Sequence, residues 1–428
     1  MPLDNSEINE KVIQITINDS MVIDGSDIVE FYFVEDLYLP AMIGSLTIRD
    51  RKGVVELAPI TGNEIITFTY GEDKDKEGKT LQIFSHTVSP VSQLGQSKDA
   101  VVEMLLVDPI FFSLTTKKYS KGWSSGTRLS DIVKDICKNM IGIKKFFKFE
   151  ESNEKIDDTK AGNIPAFVMQ NWTPLEAIRW LMKRCSGKET KLPGYAFYNT
   201  SKGACFITLE NLFRSENVEK DIYGVRKTYK FISSDDTDDC KILSWELLPP
   251  DKQALVGLKG GHKMGFDFMN KSVIDFTYDY SKMLKGFTLL GGATLFPDIS
   301  DDTVKYDYDG DCDEKILKNI AVHDFIRRYL TQLQCIITVR GNERRYPGMM
   351  VDLLWESSNP DEILNRELNG LWMIKSITHY FKPSTSPFYQ QKMTLVTSAY
   401  TSSKYKGYMK TQTGKQRISD KKGLEIGR

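Results

Sequence analysis

Between Met42 and Arg49 the chain sorts into two interleaved sets. Met42, Gly44, Leu46 and Ile48 alternate with Ile43, Ser45, Thr47 and Arg49. A period of two predicts a strand with one buried face. Ile65–Tyr70, Leu81–Val88 and Val101–Val107 are further short runs rich in β-branched and aromatic residues. Turn-forming stretches separate them at Gly71–Lys79 and Leu94–Asp99. Strands at this spacing predict an antiparallel sandwich or barrel over roughly the first 110 residues.

The period then changes. From Thr127 to Gly142 the apolar positions are Leu129, Ile132, Val133, Ile136, Cys137 and Met140, one stripe of an amphipathic helix. Gly142 stands where a left-handed C-terminal glycine belongs. A second helix is predicted from Thr173-Pro174-Leu175-Glu176, the signature of a capping box with proline in the first turn. Its stripe is Leu175, Ile178, Leu181, Met182 and Cys185, with Gly187 expected to close it. Glu150–Gly162 reads as a polar, acidic loop, and Tyr195–Asn199 with Ala204–Asn211 as a hairpin turning at Thr200–Gly203. Residues 118–213 are therefore expected to form a separate α/β unit.

Strand patterns return at Lys227–Ser233 and Ile242–Leu248, and Pro249-Pro250 breaks the chain. Residues 251–312 read as irregular, with glycine pairs at Gly260-Gly261 and Gly291-Gly292 and one strand at Val273–Tyr280. A helix is predicted over Asp313–Leu333, followed by strands at Cys335–Arg340, Met349–Trp355, Leu371–Phe381 and Lys392–Tyr400. The two β regions share a pattern. Thr61-Gly62 precedes a strand and Ser85-His86 follows in the first; Pro347-Gly348 and Ser376-Ile377-Thr378-His379 hold those places in the second. The pattern suggests two copies of one β fold carrying insertions.

Composition narrows the classes. Across 428 residues, 57 Lys+Arg against 58 Asp+Glu leave a net charge of −1, which argues against a protein that neutralises many phosphates. That average hides a contrast: residues 401–428 hold eight basic and two acidic residues, a basic tail on an acidic body. No run approaches the length of a membrane span. The first residues, MPLDNSEINEK, are wrong for a secretory signal, and six scattered Cys without a CxxC pair fit reduced thiols.

No motif carries catalysis. The four His (86, 262, 323, 379) lack metal spacing. His86 and His379 are expected to be structural histidines in strands, and Gly260-Gly261-His262 a turn. Asp307-Tyr308-Asp309-Gly310-Asp311-Cys312-Asp313 hints at calcium, but its glycine comes too early for an EF-hand, so a solvated acidic turn capping the next helix is expected. Phosphate-binding glycine loops are absent. Lys144-Lys145-Phe146-Phe147-Lys148 could suggest nucleic acid, but without a basic excess it reads as a solvated strand or loop edge. The expectation is therefore no catalytic, cofactor-binding or metal-binding residue.

One stretch carries a resemblance. Val339-Arg340-Gly341-Asn342, Tyr346-Pro347-Gly348-Met349-Met350-Val351-Asp352-Leu353, Gly370-Leu371-Trp372-Met373-Ile374-Lys375-Ser376-Ile377-Thr378-His379 and Lys392-Met393-Thr394-Leu395-Val396 together resemble the final barrel of phage tail hub proteins. Met42–Arg49 and Gly62–Tyr70 look like the opening of hub and tube domains. The order of parts is similar to the central baseplate hub of contractile-tailed phages such as the T-even group. The resemblance implies a β-rich α+β fold with two tail-tube-like antiparallel β-barrel or sandwich domains, each interrupted by or joined to an insertion. The domains expected are a first barrel at 1–117, an α/β insertion at 118–213, and a discontinuous second barrel at 214–250 and 313–400. A second insertion spans 251–312, and the basic tail 401–428. The resemblance further implies a homotrimer forming a pseudo-sixfold ring in the virion baseplate, assembled in the host cytoplasm. Its partners would be the tail tube protein, the central spike protein and other baseplate proteins, with no specific nucleic acid and no membrane span. No catalytic residue transfers. The alternative reading is a virion-associated enzyme that degrades cell envelope; a secreted carbohydrate-binding β protein is a third. The basic tail is expected to dock on an acidic neighbour.

Overall fold

The structure, a computed structural model, describes residues 14–18, 21–23, 25–51, 64–70, 79–93, 100–157, 159–160, 162–213, 217–221, 223–231, 239–248, 260–267, 271–279, 306–308, 313–330, 333–355, 369–383 and 388–397. They fall into two compact units. The first lies within Met1–Thr208, Thr338–Pro347 and Lys375–Met393, the second within Leu209–Ile337, Gly348–Ile374 and Thr394–Arg428.

In the first unit the period-two segments become β1 (Gln14–Ile17), β2 (Met21–Ile23), β3 (Ile28–Asp36), β4 (Ile43–Asp50), β5 (Ile65–Tyr70), β6 (Lys79–Gln93) and β7 (Ala100–Val107). They pair in the order β2–β1–β5–β6–β7–β4–β3, every pairing antiparallel. Beyond β3 comes the distal half of β20 (Gly370–Phe381), with Ser376 opposite Asp36 and Phe381 opposite Phe31. The alternation in β4 holds: Met42, Gly44, Leu46 and Ile48 are buried. Ser45, on the other face, is buried too, because its hydroxyl donates to Glu103 Oε1 at 2.9 Å.

β3 and β5 stand four places apart, roughly 19 Å on a flat sheet. Yet the Phe31 and Phe68 rings are 4.4 Å apart, and Phe33 and Phe68 5.4 Å. The sheet therefore rolls over and encloses a core of Ile15, Ile17, Phe31, Phe33, Leu46, Ile66, Phe68, Met104 and Phe381. Each buried Phe contributes about 2 kcal/mol of hydrophobic stabilisation. Of the barrel or sandwich expected, the closed form is not seen: among the described residues no strand pairing closes the sheet on itself. Strand pattern predicts a curved sheet, but closure depends on pairings between distant edges that alternation does not encode.

The same unit holds a second layer of structure. It runs α1 (Ile110–Thr115), β8 (Tyr119–Gly122), α2 (Leu129–Ile136) with a wide turn over Cys137–Ile141, β9 (Phe146–Phe149), β10 (Val168–Trp172), α3 (Pro174–Arg184), β11 (Tyr195–Thr200) and β12 (Gly203–Thr208). Gly142 takes φ 93°, the left-handed stop its position predicts. The Thr173 capping box forms: Glu176 N donates to Thr173 Oγ1 at 3.3 Å, and Thr173 N to Glu176 Oε2 at 2.8 Å. β11 and β12 make the predicted hairpin, and β9 adds parallel to β12. The end of α3 differs from expectation. The helix stops at Arg184, and Cys185 is already extended, with ψ 140°. Gly187 is needed for another reason: an added Cβ would collide with the Glu150 carboxylate and the Thr190 hydroxyl.

The second unit contains α4 (Leu209–Leu212), β13 (Thr228–Lys230), β14 (Ile242–Leu248), β15 (Gly260–Asp267), β16 (Ser272–Asp279), β17 (Tyr306–Tyr308) and α5 (Glu314–Leu330). The expected Gly260-Gly261-His262 turn is instead the start of β15. Gly260–Asp267 pairs residue for residue with Asp279–Ser272, so neighbouring backbone overrides the glycine signal. The region read as irregular therefore carries a three-stranded sheet, on which α5 packs. Of the stretch read as an acidic turn, Asp307 and Tyr308 belong instead to β17, where pairing with β15 holds them, while Asp313 caps α5 as predicted, its Oδ1 accepting from Lys315 N at 2.8 Å and Ile316 N at 3.3 Å. Leu333, expected at the helix end, opens β18 (Leu333–Arg340). The last strands are β19 (Met350–Leu354), β20 and β21 (Tyr389–Thr397).

The repeat seen as a pattern appears as strand order. β4, β5, β6 and β7 pair as β4–β7–β6–β5, and β18 to β21 as β18–β21–β20–β19. Ile43 and Leu333, Ile65 and Met350, Lys79 and Gly370, and Ala100 and Tyr389 begin the matching strands, a displacement of about 290 residues each time. Thr61-Gly62, residues 71–78 and 94–99, Pro249-Pro250, Gly291-Gly292, Asp309–Cys312 and the tail 401–428 lie outside the described residues.

Candidate functional site

The four histidines lie on four different elements. His86 lies in β6 and His262 in β15, with their side chains outside the described set. His323 is fully buried on α5. His379 is a structural residue of β20, as its strand position predicts: its ring stacks on Phe33 at 4.1 Å and its Nδ1 lies 2.7 Å from the Tyr389 hydroxyl.

One trio with metal-ligating chemistry occurs among the described residues: Glu219, Asp239 and Cys240, their ligand atoms within 4.8 Å of one another. A cation of the protein's own occupies it. Lys227 Nζ lies 2.8 Å from Asp239 Oδ2 and 3.7 Å from Glu219 Oε1, and the Tyr229 hydroxyl donates to Glu219. Partial burial works against the charge on Lys227, but Asp239 and Glu219 raise its pKa overall. The ammonium does the neutralising that a metal would do.

The acidic loop at 150–162 contains the least expected carboxylates. Glu150 and Glu154 are buried, not solvated. Glu154 accepts from Ser186 N at 2.7 Å and Ser186 Oγ at 2.6 Å; Glu150 accepts from Thr208 Oγ1 at 2.6 Å and Thr190 Oγ1 at 3.0 Å. Carboxylates tied this way by backbone and hydroxyl donors hold loops together. Residue type alone places Glu at the surface; Gly187, pressed against Glu150, is the one sequence signal of this packing.

The segment that carries the resemblance is held from within. An added Cβ at Gly341 would fall inside the Tyr389 ring. Asn342 N donates to Gln391 Oε1 at 3.1 Å, and Gln391 Nε2 donates back to Asn342 O at 2.8 Å. Arg345 is completely buried and donates from Nη1 to Arg340 O at 2.7 Å and Gln391 Oε1 at 2.8 Å. In the other unit, Gly348 has φ 88° and its N–H donates to Ile374 O at 2.8 Å, which requires glycine before β19. These residues shape a loop.

What the surface offers is apolar and basic. β14 pairs only with β18 among the described residues, and Leu243, Trp245 and Leu247 on it are 44%, 50% and 41% exposed. In the first unit β9 is likewise an edge strand. The basic run before it is exposed at Lys144 and Lys145, as expected, but Lys148 turns inward. Its ammonium lies 4.9 Å from the Tyr346 ring, and burial holds its pKa below the usual lysine value. No helix among the described residues is long and apolar enough to cross a membrane.

No protein-family model matches the sequence, and no curated protein sequence matches it. Solved structures do. A tail protein from Neisseria meningitidis MC58 superposes with a TM-score of 0.56 at 10% identity, covering 92% of this chain and 98% of its own. The 43 kDa tail protein of prophage MuSo2 from Shewanella oneidensis gives 0.54 at 11% identity, covering 91% and 98%. At such identity the likeness is one of fold. Along nearly its whole length, this chain shares a β-rich α+β fold with phage tail proteins.

Proposed function

We propose that the chain is a structural component of a phage tail baseplate, a hub that joins a tail tube to a central spike. The observation that carries the reading is the repeated strand order, β4–β7–β6–β5 and β18–β21–β20–β19, within a tail-protein fold. Three copies of a chain with two similar sheets present six similar surfaces, which is what a ring between a sixfold tube and a threefold spike requires. Under this reading 1–117 and the discontinuous 214–250 with 313–400 are the two tube-like domains. Residues 118–213 and 251–312 are insertions, and 401–428 is a docking tail. Assembly, not turnover, is its role, and the engagement of Glu150 and Glu154 in loop packing supports this.

The test is the mass of the purified particle by light scattering. A trimer at about three times the 48.9 kDa chain mass, which also captures tube and spike proteins, is expected. A strict monomer that binds neither overturns the hub. Turnover of peptidoglycan, abolished by one Asp or Glu substitution, would favour the envelope-degrading enzyme instead. Deleting residues 401–428 is expected to weaken assembly while the core stays folded.

A further inference from the structure

The basic run at 144–148 has no part in the hub reading, and its surroundings point to a partner. Lys144 and Lys145 are exposed, and so is Arg344. Among the described residues no carboxylate pairs with any of these three side chains. Lys202 brings the segments together: its Nζ donates to Arg344 O at 2.5 Å and lies 5.8 Å from the Phe147 ring and 4.6 Å from the Tyr346 ring. Lys202 thus lies beside one exposed aromatic, Phe147, at 37% exposure, with Lys145 and Lys144 two and three residues before it and Arg344 in the segment that Lys202 contacts. The chain around them carries no basic excess, so the patch is a local concentration of charge.

The backbone adds a direction. Pairing places Phe146 opposite Ala204 and Lys148 opposite Cys205, so Phe147 is the extra residue of a β-bulge. That bulge lets Phe147 and Lys148, neighbours in sequence, both reach Tyr346: one edge-on at 5.1 Å, the other with its ammonium over the ring. β12 covers one side of β9; the other side has no strand partner among the described residues. An open edge offers N–H and C=O groups to another extended chain. Lysines beside such an edge repel a second copy of the same strand, because like charges would face each other. A strand bearing carboxylates is the complement they admit. Nucleic acid fits less well, since stacking of successive bases needs a series of exposed aromatics and Phe147 stands alone.

We propose that the free edge of β9, flanked by Lys144, Lys145, Lys202 and Arg344 around Phe147, takes up an acidic, extended polypeptide segment of a neighbouring protein. The segment adds antiparallel or parallel as a fourth strand, its carboxylates meet Lys144, Lys145 and Arg344, and an apolar side chain covers Phe147. This holds whether or not the chain is a hub.

The probe is a fluorescein-labelled peptide of about twelve residues alternating Glu with Val and Thr, titrated into the full chain and followed by anisotropy. Its Lys-for-Glu counterpart and an oligothymidylate of similar length are titrated alongside. The acidic peptide is expected to bind, more weakly as salt rises. Lys144→Glu/Lys145→Glu should weaken it about tenfold, and Lys315→Glu/Lys318→Glu on exposed positions of α5 should not. Circular dichroism verifies that both variants are folded. On binding, hydrogen exchange should slow at the amides of Phe146–Phe149. The proposal is overturned by absent binding, by equal loss in both variants, by unprotected β9 amides, or by tighter binding of the oligothymidylate. Absent binding would leave Lys144 and Lys145 as guards of an edge that nothing joins.

Discussion

Replacing Gly341 by Ala probes the packing beneath the segment that resembles phage hubs. Gly341 has no left-handed φ, so the cost is steric and not conformational. The added methyl would enter the Tyr389 ring, and the ring has little freedom to yield. It stacks on Phe381 at 4.4 Å, its hydroxyl accepts from Gln391 Nε2 at 3.0 Å and contacts His379 Nδ1, and its own carbonyl accepts from Gly341 N at 2.8 Å. Overpacking of a filled core costs about 1–3 kcal/mol. A displaced Tyr hydroxyl loses about 1 kcal/mol more per hydrogen bond. Together the loss is about 3 kcal/mol, which lowers the melting temperature by roughly 6–12 °C in a unit of this size. Scanning calorimetry of the full chain reads the shift. In a Tyr389→Leu background the ring is gone, and the same Gly341→Ala change should then cost under about 1 kcal/mol. Equal costs in the two backgrounds, or a melting point unchanged by Gly341→Ala alone, would refute the steric reasoning.

Other outcomes follow from the buried polar groups. Glu154→Gln keeps the shape but removes the charge from two short hydrogen bonds to Ser186, and should cost about 2 kcal/mol by the same calorimetry. Lys227→Met leaves Glu219 and Asp239 without their cation and should cost about 2 kcal/mol at neutral pH. Because the folded pKa of Lys227 lies above 10.5, its contribution is full below that pH and fades as pH rises through the raised value; a difference between wild type and variant that grows with pH would contradict this. Burial pushes the Cys205 thiol up to about 11, so iodoacetamide at pH 8 should label it only after unfolding, as mass spectrometry of the modified peptide would show.

The parts of the fold legible in the sequence are those set by local rules. The alternation at Met42–Ile48, the helix stripe ending at Gly142 and the Thr173 capping box each depend on residues within a few positions of one another. What was not legible depends on residues far apart. Glu154 meets Ser186 from 32 residues away, Glu150 meets Thr208 from 58, and Arg345 meets Gln391 from 46. Their residue types predict exposure, and only the distant partner makes burial tolerable. Gly260 and Gly261 depart from their turn signal for a related reason: a hairpin with β16 recruits them into a strand despite their propensity. The site was legible only as an absence of motifs. The basic run at 144–148 was visible, but the arrival of Lys202 and Arg344 beside it was not.

The pairing of β3 with the distal half of β20 has a consequence for synthesis. β3 spans Ile28–Asp36, and its partner residues are Ser376–Phe381. A growing chain exposes that side of β3 until Ser376–Phe381, more than 300 residues further on, have been made. Contacts of such sequence separation are slow to form, and an unpaired hydrophobic edge left waiting is prone to wrong partners. This sheet therefore gains the β20 strand only late, long after its other strands have been made. A premature stop anywhere before Ser376 leaves it one strand short, so fragments cut at the apparent end of the first β region are expected to aggregate where the whole chain folds.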